Sequence, residues 1–227
     1  MKPVEKLAAT TAPDGSVVTL YRHDGAYLMV VDGIELMSTR RVHSEVRLAT
    51  LACTPLRTAA APRVLIGGLG FGATLKAALE LLPPDASVMV AEILPDVITW
   101  NRNGEWALAG DAMNDARVDV RRADVADVQR EHPATFDAIM LDVDNGAESF
   151  TTGSNKKLYG EKGIRTAMAA LRPGGILAYW SVDAEPAFVR ELKRVGLTVS
   201  VHRARSHATS GGYNSIIVAR SAGTATA

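Results

Sequence analysis

Residues 64–75 read VLIGGLGFGATL. A short apolar run meets Gly67, Gly68, Gly70 and Gly72, and a helix-forming segment follows at once. A strand that turns on glycines into a helix is the opening unit of a doubly wound α/β sheet. Glycine at such a turn lets the backbone reverse sharply and approach a ligand with no Cβ in the way. The helix that follows offers its free N–H groups to a polar or negatively charged group.

Outward from this stretch, the chain alternates strand and helix. RVLIGG is a near-continuous apolar strand, the pattern of a parallel strand covered on both faces. ATLKAALELL is a helix stopped by Pro83-Pro84. SVMVAE, RVDVRRAD, FDAIMLDVD and ILAYWSV are predicted as the next strands. LPDVITWNRN, with Pro95 in its first turn, EKGIRTAMAAL and EPAFVRELKRVG are predicted as helices. LTVSVHRAR and YNSIIVAR close the sheet as an antiparallel pair.

Before the glycine turn the periodicity is that of β structure. SVVTLYRH and AYLMVVDG flank a His23-Asp24-Gly25 hairpin turn, and IELMS follows Asp32-Gly33. VHSEVRLATLACTPL has helical spacing, with Val46, Leu48, Leu51 and Cys53 on its expected apolar face. The first dozen residues and the C-terminal SAGTATA are expected to be loose. The predicted organisation is an N-terminal β-hairpin element with its connecting helix over residues 1–56, and an α/β domain over residues 57–227.

Composition narrows the function. At 227 residues and 47% hydrophobic, the chain can bury a full core. Twenty-five basic and 25 acidic residues give zero net charge, against the basic surplus of a nucleic-acid binder. Cys53 is the only cysteine, so no intrachain disulfide or cysteine-built metal site is expected. The histidines show no metal-binding spacing, and no metal is predicted. No apolar run approaches the ~20 residues of a membrane span, and the N-terminus has no apolar core of a secretory signal. The expected location is the cytoplasm, with neither membrane nor nucleic acid as partner.

The glycine turn alone leaves two cofactor classes open. Gly68-x-Gly70-x-x-Ala73 satisfies the GxGxxA form of the dinucleotide fingerprint, and S-adenosylmethionine (SAM) enzymes use a similar turn. Glu92 ends the second strand of the unit, where a carboxylate accepts both hydroxyls of a ribose in either class. Asp124 ends the third strand and can accept from an adenine amine or cap the next helix. Asp142 ends the fourth strand, opposite the glycine turn, where it faces a transferring group. Glycines and three acids at four strand ends favour a SAM-type nucleoside cradle. The cofactor-binding set is Gly67, Gly68, Gly70, Gly72, Glu92, Asp124 and Asp142; the catalytic set is Asp142 and Asp144.

From about Val17 to Val218 the chain resembles the spermidine synthase-like (polyamine aminopropyltransferase-like) family, a branch of the class I SAM-dependent methyltransferase fold. The residues that carry the likeness are DGIELMSTRR, VLIGGLGFGATL, AEILPDVI, FDAIMLDVDNG and LRPGGILAYWS. The resemblance implies a Rossmann-like doubly wound sheet, a transferase activity on a small-molecule acceptor, and N-terminal hairpins that are candidates for a homodimer contact. Three departures bear on function. The family carries an aspartate within a GGGDGG turn, where this chain has Leu69. Its Tyr-His-Glu stretch is echoed only by His43 and Glu45. Its DSSDP-type loop reads Asp142-Val143-Asp144-Asn145-Gly146.

An acid in the turn would attract the amine of decarboxylated SAM and repel the carboxylate of SAM. With Leu69 there, the expected activity is methyl transfer from SAM to an amine- or hydroxyl-bearing acceptor. The alternatives are aminopropyl transfer from decarboxylated SAM to a diamine, and nucleoside binding without turnover. Ser154, Asn155 and Tyr159, in the long loop after the fourth strand, are candidate acceptor contacts. Trp180 is a candidate for the pocket wall.

Overall fold

The computed structural model describes residues 3–143, 156–207 and 209–221. Two sheets are built. The first is a four-stranded antiparallel meander of β1 (Val4–Thr11), β2 (Val17–His23), β3 (Ala26–Val31) and β4 (Ile34–Ser38). Asp24-Gly25 and Asp32-Gly33 make its last two turns, all four residues at positive φ as a tight hairpin requires. The expectation of a loose N-terminus fails at β1. VEKLAATT has little strand patterning of its own, but it pairs with β2 from Val4↔His23 to Thr11↔Val17.

The second sheet has seven strands in the order β10-β11-β9-β8-β5-β6-β7. They are β5 (Arg63–Gly67), β6 (Ser87–Glu92), β7 (Val118–Arg122), β8 (Phe136–Leu141), β9 (Leu171–Ser181), β10 (Leu197–Arg205) and β11 (Tyr213–Ser221). β5 through β9 run parallel, and β11 lies antiparallel between β9 and β10. The order reverses between β5 and β8, so their carboxyl ends open a crevice at that point. This is the Rossmann-like doubly wound architecture expected from the sequence.

Seven α-helices complete the described fold: α1 (His43–Cys53), α2 (Ala73–Leu81), α3 (Pro95–Arg102), α4 (Val125–Glu131), α5 (Lys156–Tyr159), α6 (Glu161–Ala170) and α7 (Pro186–Arg194). α1 buries Leu48 and Cys53 as its spacing suggested, but its buried face is shifted toward the small residues. Ser44, Leu48, Ala49, Ala52 and Cys53 are buried, whereas Val46 is 37% exposed and Leu51 only half-buried. The small residues let α1 lie close to α2 and to β8, β9 and β11. No described helix is long and apolar enough to cross a membrane.

Apolar side chains gather on both faces of the large sheet. One cluster joins Leu20, Met29 and Val31 of the meander to Leu48, Ile66, Leu75 and Met140, so the N-terminal sheet shares a core with the α/β body. The other holds Phe136, Leu141, Ile164 and Leu177, with Tyr159, Tyr179 and Phe188 in mutual edge and tilted contacts. A hydrogen bond ties the N-terminal sheet to the α/β body near the crevice. Thr10 Oγ1 of β1 donates to Asp96 Oδ2, in the first turn of α3, at 2.6 Å.

Candidate functional site

The crevice at the strand reversal is a cleft of about 850 Å³, counting the open space at its mouth. The body supplies its floor: Gly68 and Gly70 from the turn after β5, Glu92 at the end of β6, Asp124 after β7, and Asp142 after β8. Val18, Met29, Val31, Leu36 and Met37 of the meander supply the roof. The β1–β2 turn adds Ala12, Pro13 and Ser16 at the rim.

Gly68 cannot be replaced without moving the site. Its φ is +89°, and a Cβ there would sit 2.2 Å from the Asp142 backbone oxygen. The missing side chain is what lets the β5 turn lie against the end of β8. Gly70, at φ +51°, faces Met37, whose Sδ and Cε would lie 3.0 and 3.1 Å from a Cβ. Gly67 and Gly72 sit beside the cleft. Val125 and Leu141 take the space next to Gly67, and Ala109 the space next to Gly72.

Glu92 is buried and fixed at both oxygens. Oε2 accepts from the Leu69 amide at 2.9 Å and Oε1 from the Leu94 amide at 2.8 Å. Burial raises its carboxyl above the usual range, and those backbone N–H groups oppose the shift. Each oxygen keeps a second lone pair, so the carboxylate can still receive ribose hydroxyls. Asp124 is the N-cap of α4, its Oδ1 accepting from the Ala126 amide at 2.8 Å, and it also borders the cleft. Asp124 thus caps α4 and borders the cleft at the same time.

Asp142 lies at the centre of the site. Its amide donates to the Gly67 carbonyl at 2.9 Å, which registers the two strand ends. Its Oδ2 accepts from Thr74 Oγ1, in the first turn of α2, at 2.7 Å. Burial raises the Asp142 carboxyl, and the Thr74 hydroxyl holds it down. Glu45, on the first turn of α1, is raised by burial and then by the Asp142 charge, with a counteracting bond from Ser44 Oγ at 2.6 Å. Two carboxyl groups that feel each other in a buried place cannot both ionise easily, so the pair tends to retain a proton.

The sequence singled out neither Thr74 nor the coupling of Glu45 to Asp142. Both rest on contacts between distant segments, and only the family's Tyr-His-Glu stretch drew attention to Glu45. Asp144, Ser154 and Asn155 lie outside the described residues. Tyr159 is buried in the aromatic cluster with Tyr179 and Phe188, a core position rather than an acceptor contact. Trp180 packs on the meander-side core and does not border the cleft.

Leu69 also departs from expectation. Its side chain is buried in the core, and only its backbone reaches the site, through Glu92. What the cleft receives from the turn is Gly68 and Gly70. Among the described residues bordering the cleft, Glu92, Asp124 and Asp142 are the charged ones, and none is cationic. Lys76, a cation on α2, borders a different cavity and donates to the Leu108 carbonyl at 2.7 Å.

No protein-family model and no curated protein matches the chain. Solved structures do. A spermidine synthase in complex with the transition-state analogue AdoDATO superposes with a TM-score of 0.75 at 18% identity, over 96% of this chain and 73% of that one. The spermidine synthase of Thermotoga maritima gives 0.74 at 18% identity over the same shares. A probable spermidine synthase of Corynebacterium glutamicum gives 0.68 at 18% identity, over 97% of this chain and 81% of that one. The chain therefore has the fold of the spermidine synthases, in both its N-terminal sheet and its α/β body.

Proposed function

We propose that the protein is a transferase that moves an alkyl group from an adenosyl sulfonium to an amine, and that decarboxylated SAM is its donor. The observation that carries this reading is the charge of the cleft. Among the described residues three carboxylates and no cationic side chain border it, and a fourth carboxyl group (Glu45) adjoins Asp142. A SAM carboxylate would enter without a positive partner, at a cost of several kcal/mol when desolvated. An ammonium group would meet Asp142 and Glu45.

The donor supplies a carbon activated by a positive sulfur. Glu92 holds the ribose hydroxyls, and Asp124 accepts from the adenine amine. The glycine floor leaves room for the alkyl arm beside Asp142. Asp142 Oδ1 takes a proton from the acceptor's ammonium group, which frees the nitrogen lone pair. Nitrogen–carbon bond formation and carbon–sulfur bond cleavage then pass the electron pair to sulfur, neutralising it, and Asp142 later releases the proton to water. Thr74 engages Oδ2, which leaves Oδ1 as the oxygen for the acceptor. A buried carboxylate with a raised pKa is a stronger base than an exposed one.

A second reading, methyl transfer from SAM, is favoured by one feature: the glycine turn carries no acid to repel the SAM carboxylate. Calorimetric titration of the ligand-stripped protein with decarboxylated SAM, SAM, methylthioadenosine and NAD separates the two. The proposal expects decarboxylated SAM to bind most tightly, and methylthioadenosine to form when a diamine is added. Tighter binding of SAM, with methylated product, would replace it by the second reading.

A further inference from the structure

Met37 lies with its thioether on the α-carbon side of Gly70, where a Cβ would meet Sδ at 3.0 Å. From α3, Asn101 Nδ2 donates to the Gly70 carbonyl at 2.8 Å. Asn101 is itself buried and gives a second bond from the same nitrogen to the Val97 carbonyl at 2.9 Å. The Gly70 peptide is thus held by an amide and covered by a thioether. Both Gly70 and Met37 border the cleft, together with Leu36 and Met29.

The geometry points to Met37 as a specificity-determining residue: its thioether over Gly70 disfavours a donor whose alkyl arm ends in a carboxylate and admits one whose arm ends in an amine. This rests on the adenosyl-sulfonium reading above. A nucleoside held at Asp124 and Glu92, with its sulfur toward Asp142, leaves its arm to run over Gly68 and Gly70 beneath Met37. A carboxylate there would lose water against a thioether that offers no donor, within the field of Asp142. An ammonium would keep Asp142 and Glu45 as counter-charges. Selection against the carboxylate then comes from a side chain on the N-terminal sheet, with no acid needed in the glycine turn.

The test compares wild type with Met37→Lys, Met37→Gln and Met37→Leu by calorimetric titration with SAM, decarboxylated SAM and methylthioadenosine, whose arm is a single methyl. Met37→Lys is expected to raise the affinity ratio of SAM to decarboxylated SAM at least tenfold. Met37→Gln should move it the same way by less, and Met37→Leu should leave it in place. Methylthioadenosine should bind all four proteins within about threefold, because it has no arm to discriminate. If methylthioadenosine binds and the ratio stays fixed in both polar variants, the role of Met37 is overturned while the adenosyl-sulfonium reading stands. If wild type binds none of the three ligands, that reading falls and the inference falls with it. Should Met37→Lys fail to fold, the ratio in Met37→Gln decides.

Discussion

Thr74 and Asp142 are 68 positions apart in the chain, yet Thr74 Oγ1 donates to Asp142 Oδ2 at 2.7 Å. The bond joins the first turn of the helix after the glycine turn to the end of the neighbouring strand. It fixes the rotamer of the carboxylate and lowers the cost of its charge.

Thr74→Val keeps the shape and removes the donor. A hydrogen bond to a charged group contributes about 1.5–3 kcal/mol, so its loss pushes the Asp142 carboxyl further up. The acidic limb of the turnover–pH profile should then move upward by roughly one unit or more, with donor affinity changed little. Initial rates between pH 5 and 9 check this. An unmoved limb would remove Asp142 from the role of base.

Glu45 sets a pH dependence of stability. Its folded-state pKa is raised, to about 7, so the stability associated with its protonated form is present in acid and is lost as pH rises through that value. Glu45→Gln stays neutral at every pH. Its melting temperature should exceed that of wild type above pH 7, by roughly 2–6 °C, and the gap should close toward pH 4. Thermal melts at four pH values suffice, and a constant gap would contradict the assignment.

Gly68→Ala places a Cβ 2.2 Å from the Asp142 carbonyl oxygen at a φ of +89°. Backbone meets backbone there, and no side chain can swing away. The expected loss is at least ~3 kcal/mol, together with donor binding. Gly104→Ala is the matched control. It has nothing within 4 Å and no positive φ, so chemical denaturation should find it within about 0.5 kcal/mol of wild type.

The Thr10–Asp96 bond holds the N-terminal sheet over the cleft. In a double-mutant cycle, Thr10→Val and Asp96→Ala should show a coupling of roughly 0.5–2 kcal/mol. Each single variant should raise the donor KM more than it lowers kcat, because the adjoining β1–β2 turn forms the rim. Additive effects on stability would show that the bond is incidental.

The parallel sheet, its longer helices and the glycine turn were legible in the sequence because each is written in local periodicity, whereas the short α4 and α5 were not. Gly68, Glu92, Asp124 and Asp142 could be assigned to one end of the sheet, since that end follows from topology. What escaped were relationships between segments. β1 becomes a strand through its pairing with β2, since its own pattern is weak. The buried face of α1 follows Ala49 and Ala52, which fit close to α2, and not the larger Val46. Leu69 stands at the position of the family's turn acid in sequence only, since its carbon atoms are in the core and its amide is on Glu92.

The two amides on Glu92 bear on how this scaffold can change its chemistry. An aspartate at that position, one methylene shorter, would let go of Leu69 or Leu94, so the residue we propose for the ribose also splints the turn beneath it. The floor of the cleft is in this sense masonry. The side chains of Leu36 and Met37 are only partly buried, form no such ties to the backbone and can be exchanged with less disturbance. Divergence to new ligands, or deliberate redesign, has an open route through the N-terminal sheet, and the strand ends below can stay as they are while the roof is rewritten.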